Sequence, residues 1–171
     1  ETPWVEALEF ACRWASGATD WIGAAAGVTR GLNECGMVQY DTLYGSTYYG
    51  YEVFALSQLI DRLNGGFGLG VLVNCSDCAN AVVTFANLLG CELSASTMEP
   101  RFATNELLLI GTTEWTVPFG YGFGYHEVAW TGQALENDHV FDACLRVDGD
   151  ADPESAPHTP LLATNLWFGD C

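Results

Sequence analysis

The sequence predicts a single α+β domain over residues 1–171, with N-terminal helices packed on an antiparallel sheet. In the first half of the chain, apolar residues recur three and four positions apart, as on one face of a helix. In the second half, short alternating segments are separated by turn residues, which is typical of strands. Helices that precede a group of strands favour an α+β fold.

Helices are predicted where this apolar spacing persists, over residues 4–15, 20–32, 53–63 and 75–89. The last of these has the clearest start. Asn74 is a favourable N-cap residue, and Asp77 three positions later completes a capping-box pattern. Gly90 marks the end of this helix.

Strands are predicted over residues 37–40, 92–96, 106–110, 114–117, 125–131 and 140–147. The aromatic, Gly-containing stretch 44–51 and the polar stretch 148–160 are interpreted as loops. No run of eighteen apolar residues occurs, so no membrane span is expected.

The charge of the chain excludes some classes of partner. It carries 22 acidic residues against five basic ones, a formal net charge of −17, and none of the basic residues is Lys. Such a protein repels phosphate backbones, so nucleic-acid binding is not expected.

The chain contains seven cysteines, an odd number that is high for a reducing compartment. Six could form three disulfides and leave one free thiol, as a secreted or extracytoplasmic thiol enzyme would need. The pairing itself stays open.

Cys75 is the candidate nucleophile because it lies in the first turn of the helix that Asn74 caps. Backbone N–H groups there are unpaired and the helix dipole is positive, so a thiolate is favoured over a thiol. The same N–H groups, with Asn74 at the cap, could hold an oxyanion. Cys75 and Cys78 also form a C-x-x-C pattern, so a thiol–disulfide exchange protein remains an alternative.

His126 and Asp142 are the candidate general base and the acid that orients it. Each lies on a predicted strand, and a hairpin that places them opposite each other has its turn near residue 134, within a polar stretch. Opposed side chains on one face are close enough for a carboxylate–imidazole hydrogen bond. The alternative is that Asp142 faces solvent or pairs with Arg146.

These residues resemble the transglutaminase-like superfamily, whose members share the papain-type thiol arrangement. The resemblance rests on Cys75-x-Asp77-x-Ala79, on Gly90 fifteen residues after the Cys, and on the order Cys, His, Asp. It covers roughly residues 70–147. Glu127 and Ala143 depart from the family pattern, since an aromatic residue and a proline are usual there.

The resemblance implies a papain/transglutaminase-like core and a Cys75–His126–Asp142 triad that works through a thioester. We expect an extracellular cysteine peptidase or amide hydrolase acting on protein or cell-wall peptide. A protein-glutamine transglutaminase or a deamidase with the same triad is an alternative. A catalytically inactive, disulfide-stapled binding domain is another.

Two further features accompany the triad. Aromatic residues before His126 and in the loop 44–51 could form a substrate cleft, with Tyr48, Tyr49, Tyr121, Phe123 and Tyr125 as its candidates. Asp148, Asp150 and Asp152 are spaced by two, as in calcium loops, so calcium is a possible ligand although no cofactor is required.

Overall fold

The computed structural model describes residues 3–98, 101–132, 135 and 137–167. Within these residues the helices are α1 (Pro3–Trp14), α2 (Trp21–Asn33), α3 (Leu56–Leu63) and α4 (Cys75–Asn87). The strands are β1 (Gln39–Tyr40), β2 (Leu72–Val73), β3 (Ser94–Met98), β4 (Leu107–Leu109), β5 (Trp115–Thr116), β6 (His126–Trp130), β7 (His139–Asp148) and β8 (Pro160–Trp167).

Six of these strands form one antiparallel sheet in the order β3-β6-β7-β4-β5, with β8 also paired to β7. Strands β1 and β2 form a separate parallel pair directly before α4. The predicted α+β class is therefore confirmed, with the helices early in the chain and the main sheet late.

Helices α2 and α4 pack against β7, and α4 also packs against β6. Helix α1 covers the other side of α4, where Phe85 lies 6.3 Å from Phe10 and 5.2 Å from Trp14 between ring centroids. Phe85 is fully buried, and burial of such a ring stabilises the fold by roughly 1.5–3 kcal/mol. None of the described helices has the length and apolar continuity needed to cross a bilayer.

The structure differs from the sequence prediction at three elements, one of which is the two-residue strand β2, which was not predicted. Helix α3 begins at Leu56, and Val53 precedes it with 83% of its surface exposed. Strand β8 was not predicted, because its Leu-Leu-Ala-Thr-Asn-Leu segment lacks the alternation that signals a half-buried strand. Pairing with β7 supplies the backbone hydrogen bonds that maintain it as a strand.

Candidate active site

The N-terminus of α4 has the capping arrangement that the sequence predicts. The Asp77 N–H donates to Asn74 Oδ1 at 3.1 Å, and the Asn74 N–H donates to Asp77 Oδ2 at 3.1 Å. Cys75 follows in the first turn and is buried, with 3% of its surface exposed. Among the described residues, nothing accepts from the backbone N–H groups of Cys75 and Ser76, so both can donate to an incoming oxygen.

The side chain of Asn74 joins the helix to the loop that follows β1. Its amide Nδ2 donates to Gly45 O and to Thr47 Oγ1, both at 2.9 Å. Since its oxygen caps α4 and its nitrogen has two acceptors, the side chain has no free donor for an oxyanion. The observed role of Asn74 is that of a helix cap.

His126 and Asp142 meet at the centre of the sheet. His126 Nε2 lies 2.7 Å from Asp142 Oδ2, and both side chains are buried. The second carboxylate oxygen, Oδ1, accepts the Cys144 N–H at 2.7 Å. Both carboxylate oxygens of Asp142 are thus hydrogen-bonded. The side chain neither faces solvent nor pairs with Arg146, so the two alternatives are wrong.

Arg146 has other partners. Its Nε donates to Asn33 Oδ1 at 2.9 Å and its Nη2 to Glu34 Oε1 at 2.8 Å, so it ties β7 to the end of α2.

The register of β6 and β7 differs from the predicted one. Trp130 pairs with Val140 and Ala129 with Phe141, which, continued along the strands, puts Val128 opposite Asp142. His126 and Asp142 are therefore diagonal neighbours. A shift by two residues keeps a side chain on the same face of the ladder, so the imidazole still reaches the carboxylate.

The second ring nitrogen of His126 is left for Cys75. Nδ1 is buried and has no hydrogen-bond partner among the described residues, and the Cys75 side chain is near enough to act on the charge of the ring. Burial by itself disfavours the imidazolium, but the charge and hydrogen bond of Asp142 and the contact with Cys75 outweigh it. Together they raise the pKa of His126 to about 10.

Asp77 anchors the loop that passes the tip of α4. Besides the Asn74 N–H, its carboxylate accepts the N–H groups of Tyr48 at 2.9 Å and of Tyr49 and Gly50 at 2.7 Å. Four backbone donors thus converge on one buried side chain. The loop's position beside Cys75 depends on them.

Asp41 shapes the start of the same loop. Its carboxylate accepts from the backbone N–H groups of Leu43, Tyr44 and Ser46 and from the Tyr48 hydroxyl. Burial alone would raise the pKa of Asp41, but these four donors lower it below its ordinary value.

The aromatic segment before His126 closes on this loop. Phe119 adopts a left-handed backbone conformation, with φ of 57°. A Cβ on Gly45, whose own φ is 61°, would lie 2.8 Å from Phe119 Cζ, so only glycine fits there. Tyr125 Oη lies 3.4 Å from Ser76 Oγ. The two segments thus meet at the N-terminus of α4.

The residues predicted to line a cleft have different positions. Tyr49 lies in the core with 1% exposure, and its hydroxyl donates to Gly70 O at 2.6 Å. Phe123 is also buried and packs on His126, with 4.7 Å between ring centroids. Tyr121 is 87% exposed and Tyr125 is also exposed, while Tyr48 is partly exposed beside the start of α4.

The cysteines of the described residues are all free thiols, namely Cys12, Cys35, Cys75, Cys78, Cys91 and Cys144. Cys171 lies outside the described residues, and the disulfides stay a prediction. Cys78 and Cys144 lie close enough to each other, on α4 and β7, for each to act on the ionisation of the other. Burial raises the pKa of Cys144, and its contact with Cys78 raises it further.

The acidic segment 148–152 is organised by its own hydrogen bonds. Asp148 Oδ2 lies 2.6 Å from His158 Nδ1, and its Oδ1 accepts the Thr159 N–H at 2.7 Å. Asp150 Oδ1 accepts the Asp152 N–H at 2.8 Å. In the described part of the chain, no three acidic, His or Cys side chains group as metal ligands do. Calcium binding stays a prediction.

Sequence reasoning missed the anchoring roles of Asp41 and Asp77 and the presence of Tyr40 beside the triad. Tyr40 is buried close to Cys75, Cys78, Asp142 and Cys144. The Asp-Thr-Leu-Tyr-Gly run at Asp41 carries an Asx-turn signal that could have identified this residue. Nothing local to Asp77 indicates donors that come from residues nearly thirty positions away.

Comparison of the chain with protein-family models, with curated proteins and with solved structures found no match.

Proposed function

We propose that this protein is a cysteine-dependent amide hydrolase or acyltransferase of the transglutaminase-like type, working outside the cytoplasm on protein or cell-wall peptide. The observation that carries the proposal is the contact of Asp142 with His126 Nε2, which leaves Nδ1 to Cys75. A buried carboxylate, an imidazole and a thiol in that order are the parts of a thiol acyl-transfer site.

The chemistry divides between the three groups. The Cys75 thiolate attacks the carbonyl carbon of an amide, and the oxygen that becomes negative receives the N–H groups of Cys75 and Ser76. The imidazolium of His126 gives its Nδ1 proton to the leaving amine as the C–N bond breaks, which leaves a thioester on Cys75. Water or an amine then attacks the thioester, and His126 takes the proton of that nucleophile.

Asp142 acts on His126 alone. Its hydrogen bond at Nε2 sets the orientation of the ring and stabilises the imidazolium. The Cys144 N–H keeps the carboxylate in place.

The surface around the triad favours a polymeric substrate. Side chains that are apolar and more than half exposed lie on both segments that meet at α4: Leu43, Tyr44, Tyr51, Val53 and Tyr121. Exposed apolar residues grouped in this way are typical of a binding surface. A peptide lying between the segments would bring its amide to the tip of α4.

An amine acceptor is the second candidate for the transfer step. The chain has no Lys, so an enzyme that joins glutamine side chains to amines would not modify its own lysines. Thiol–disulfide exchange is less favoured, because the strongest interaction of Cys78 is with Cys144 on β7.

The test compares Cys75→Ser and His126→Ala with the wild-type protein and with Cys12→Ser, a matched change at an exposed cysteine. Release of amines from casein and from peptidoglycan peptides measures hydrolysis, and incorporation of dansylcadaverine into casein measures transfer. We expect both site variants to lose about 10³-fold or more of the rate, with Cys12→Ser unchanged. Folding is checked by circular dichroism.

Selective alkylation tests whether His126 activates the Cys75 thiol, and it needs no substrate. Iodoacetamide should modify Cys75 more slowly in His126→Ala than in the wild type, while Cys12 serves as the internal reference in the same peptide map. Retained activity in Cys75→Ser would overturn the proposal. Activity that requires both Cys75 and Cys78, with turnover of a disulfide substrate, would establish the exchange protein in its place.

A further inference from the structure

A cavity of about 380 Å³ lies one aromatic ring away from the triad. It is lined by Arg101, Phe102, Ala103, Phe119, Tyr121, Gly122, Phe123 and Gly124. The buried ring of Phe123 separates the cavity from His126, at 4.7 Å between the two ring centroids. The cavity is therefore near enough to take a residue of any chain whose amide reaches Cys75.

Half of the residues that line this cavity are aromatic. Phe123 packs 6.0 Å from Phe102 and 6.2 Å from Phe119 between centroids. A Cβ on Gly122, whose φ is 97°, would lie 2.4 Å from Phe102 O, so the backbone here requires glycine. Such a wall suits an apolar stem.

Arg101 gives the cavity a positive charge that stands out in a chain of net charge −17. Among the described residues it has no ion pair or hydrogen-bond acceptor. Three of the other arginines are engaged: Arg13 over the Phe10 ring, Arg62 with Met37 O, and Arg146 with Glu34. A guanidinium at an aromatic wall that has no partner in the described part of the chain is available for a planar anion.

We propose that this cavity is the subsite for the substrate residue next to the attacked amide, and that this residue carries a carboxylate that pairs with Arg101. The inference rests on the proposed function for its position in the reaction. The carboxylate is that of an acidic side chain or of the end of a peptide. The negative charge of the rest of the protein repels a substrate carboxylate. The positive charge of Arg101 would allow the carboxylate to bind in this cavity.

The experiment uses four fluorogenic peptides that differ only beside the scissile amide: a Glu peptide, its Gln counterpart, a peptide ending there in a free carboxylate, and its amidated counterpart. Each is tested with the wild type, with Arg101→Gln and with Arg30→Gln. Arg30 is an exposed arginine in the last turn of α2, so its variant matches the change in net charge.

We expect Arg101→Gln to lower kcat/KM about tenfold or more for the carboxylate peptides, and to leave kcat/KM for their neutral counterparts unchanged. Arg30→Gln should have the wild-type kcat/KM for all four peptides. Loss on the Glu peptide assigns a side-chain carboxylate, and loss on the free-acid peptide assigns a chain end. Equal effects of Arg101→Gln on charged and neutral peptides, or no effect, would overturn the subsite.

Binding separates the subsite from the reaction. Fluorescence anisotropy of the same peptides with Cys75→Ser, and with Cys75→Ser combined with Arg101→Gln, needs no turnover. If the wild type cleaves none of the peptides, the proposed function fails for these substrates. A carboxylate-dependent affinity that disappears with Arg101→Gln would still establish the subsite, and its absence would refute it.

Discussion

His126 Nε2 and Asp142 Oδ2 lie 2.7 Å apart in the interior of the protein, and the carboxylate receives a second hydrogen bond from the Cys144 N–H. This contact joins two strands and leaves the other ring nitrogen, Nδ1, without a hydrogen-bond partner among the described residues. The charge of His126 depends on this carboxylate.

Removing that charge should change the ionisation of His126. Asp142→Asn keeps the shape but not the charge, so the burial of the ring is no longer outweighed. We expect the pKa of His126 to fall from about 10 to its ordinary value of 6.5 or below. NMR titration of ¹⁵N-labelled imidazoles measures it, with His139 and His158 as references in the same spectra. A His126 that still titrates near its wild-type pKa in Asp142→Asn would contradict the expectation.

The same pair predicts how stability varies with pH. Because the pKa of His126 is higher in the folded state than the value of 6.5 in the unfolded state, the pair stabilises the fold fully below pH 6.5. That contribution is lost as the pH rises through about 10. Urea unfolding of the wild type and of His126→Gln between pH 6.5 and about 10 measures the contribution of the pair to the free energy of unfolding. The difference in free energy of unfolding should shrink toward alkaline pH, and a constant difference would argue against a charged pair.

Asp77 should be among the most sensitive positions for stability. Asp77→Ala leaves four backbone N–H groups without their acceptor, three of them in the loop 48–50. Buried unsatisfied donors are costly, so we expect a loss of about 3 kcal/mol or more. Urea unfolding measures it against Asp150→Ala, a change at an exposed carboxylate. A cost like that of Asp150→Ala would mean that the loop is held by other contacts.

The two neighbouring thiols of Cys78 and Cys144 should oxidise together. With a small disulfide such as oxidised glutathione, two thiols transfer two electrons and two protons and form one bond between α4 and β7. Peptide mapping under non-reducing conditions should find Cys78 joined to Cys144, with Cys75 either free or carrying one glutathione, since its activated thiol can react with the same reagent. A bond between Cys75 and Cys78 would instead support the exchange protein, and Cys144→Ser is the control that should abolish the expected product.

Local signals in the sequence were enough for the candidate nucleophile and the fold class. A cap at Asn74 followed by Asp77 marks a helix start through contacts three residues apart. Alternation along 125–131 and 140–147 predicts the two strands. A hairpin between them with its turn in the polar stretch near residue 134 predicted that His126 and Asp142 lie together. Each of these inferences depends on neighbours in the chain or on one hairpin.

Other features required contacts between distant segments. The register of β6 on β7 differs by two residues from the predicted one, and β7 also pairs with β8 and packs against α4. Tyr49 was expected at a cleft, but its hydroxyl bonds to Gly70 and the side chain is buried. Strand β8 has no pattern of its own and exists through its partner.

The sequence by itself determined the α+β class, the helix that begins at Cys75 and the strands that carry His126 and Asp142, since periodicity and capping are properties of short segments. Only the tertiary structure decided which nitrogen of His126 faces the carboxylate, which loop Asp77 holds and where the cavity beside Arg101 lies. Those features are set by side chains from residues far apart in the chain packing into one interior, and no local pattern records them.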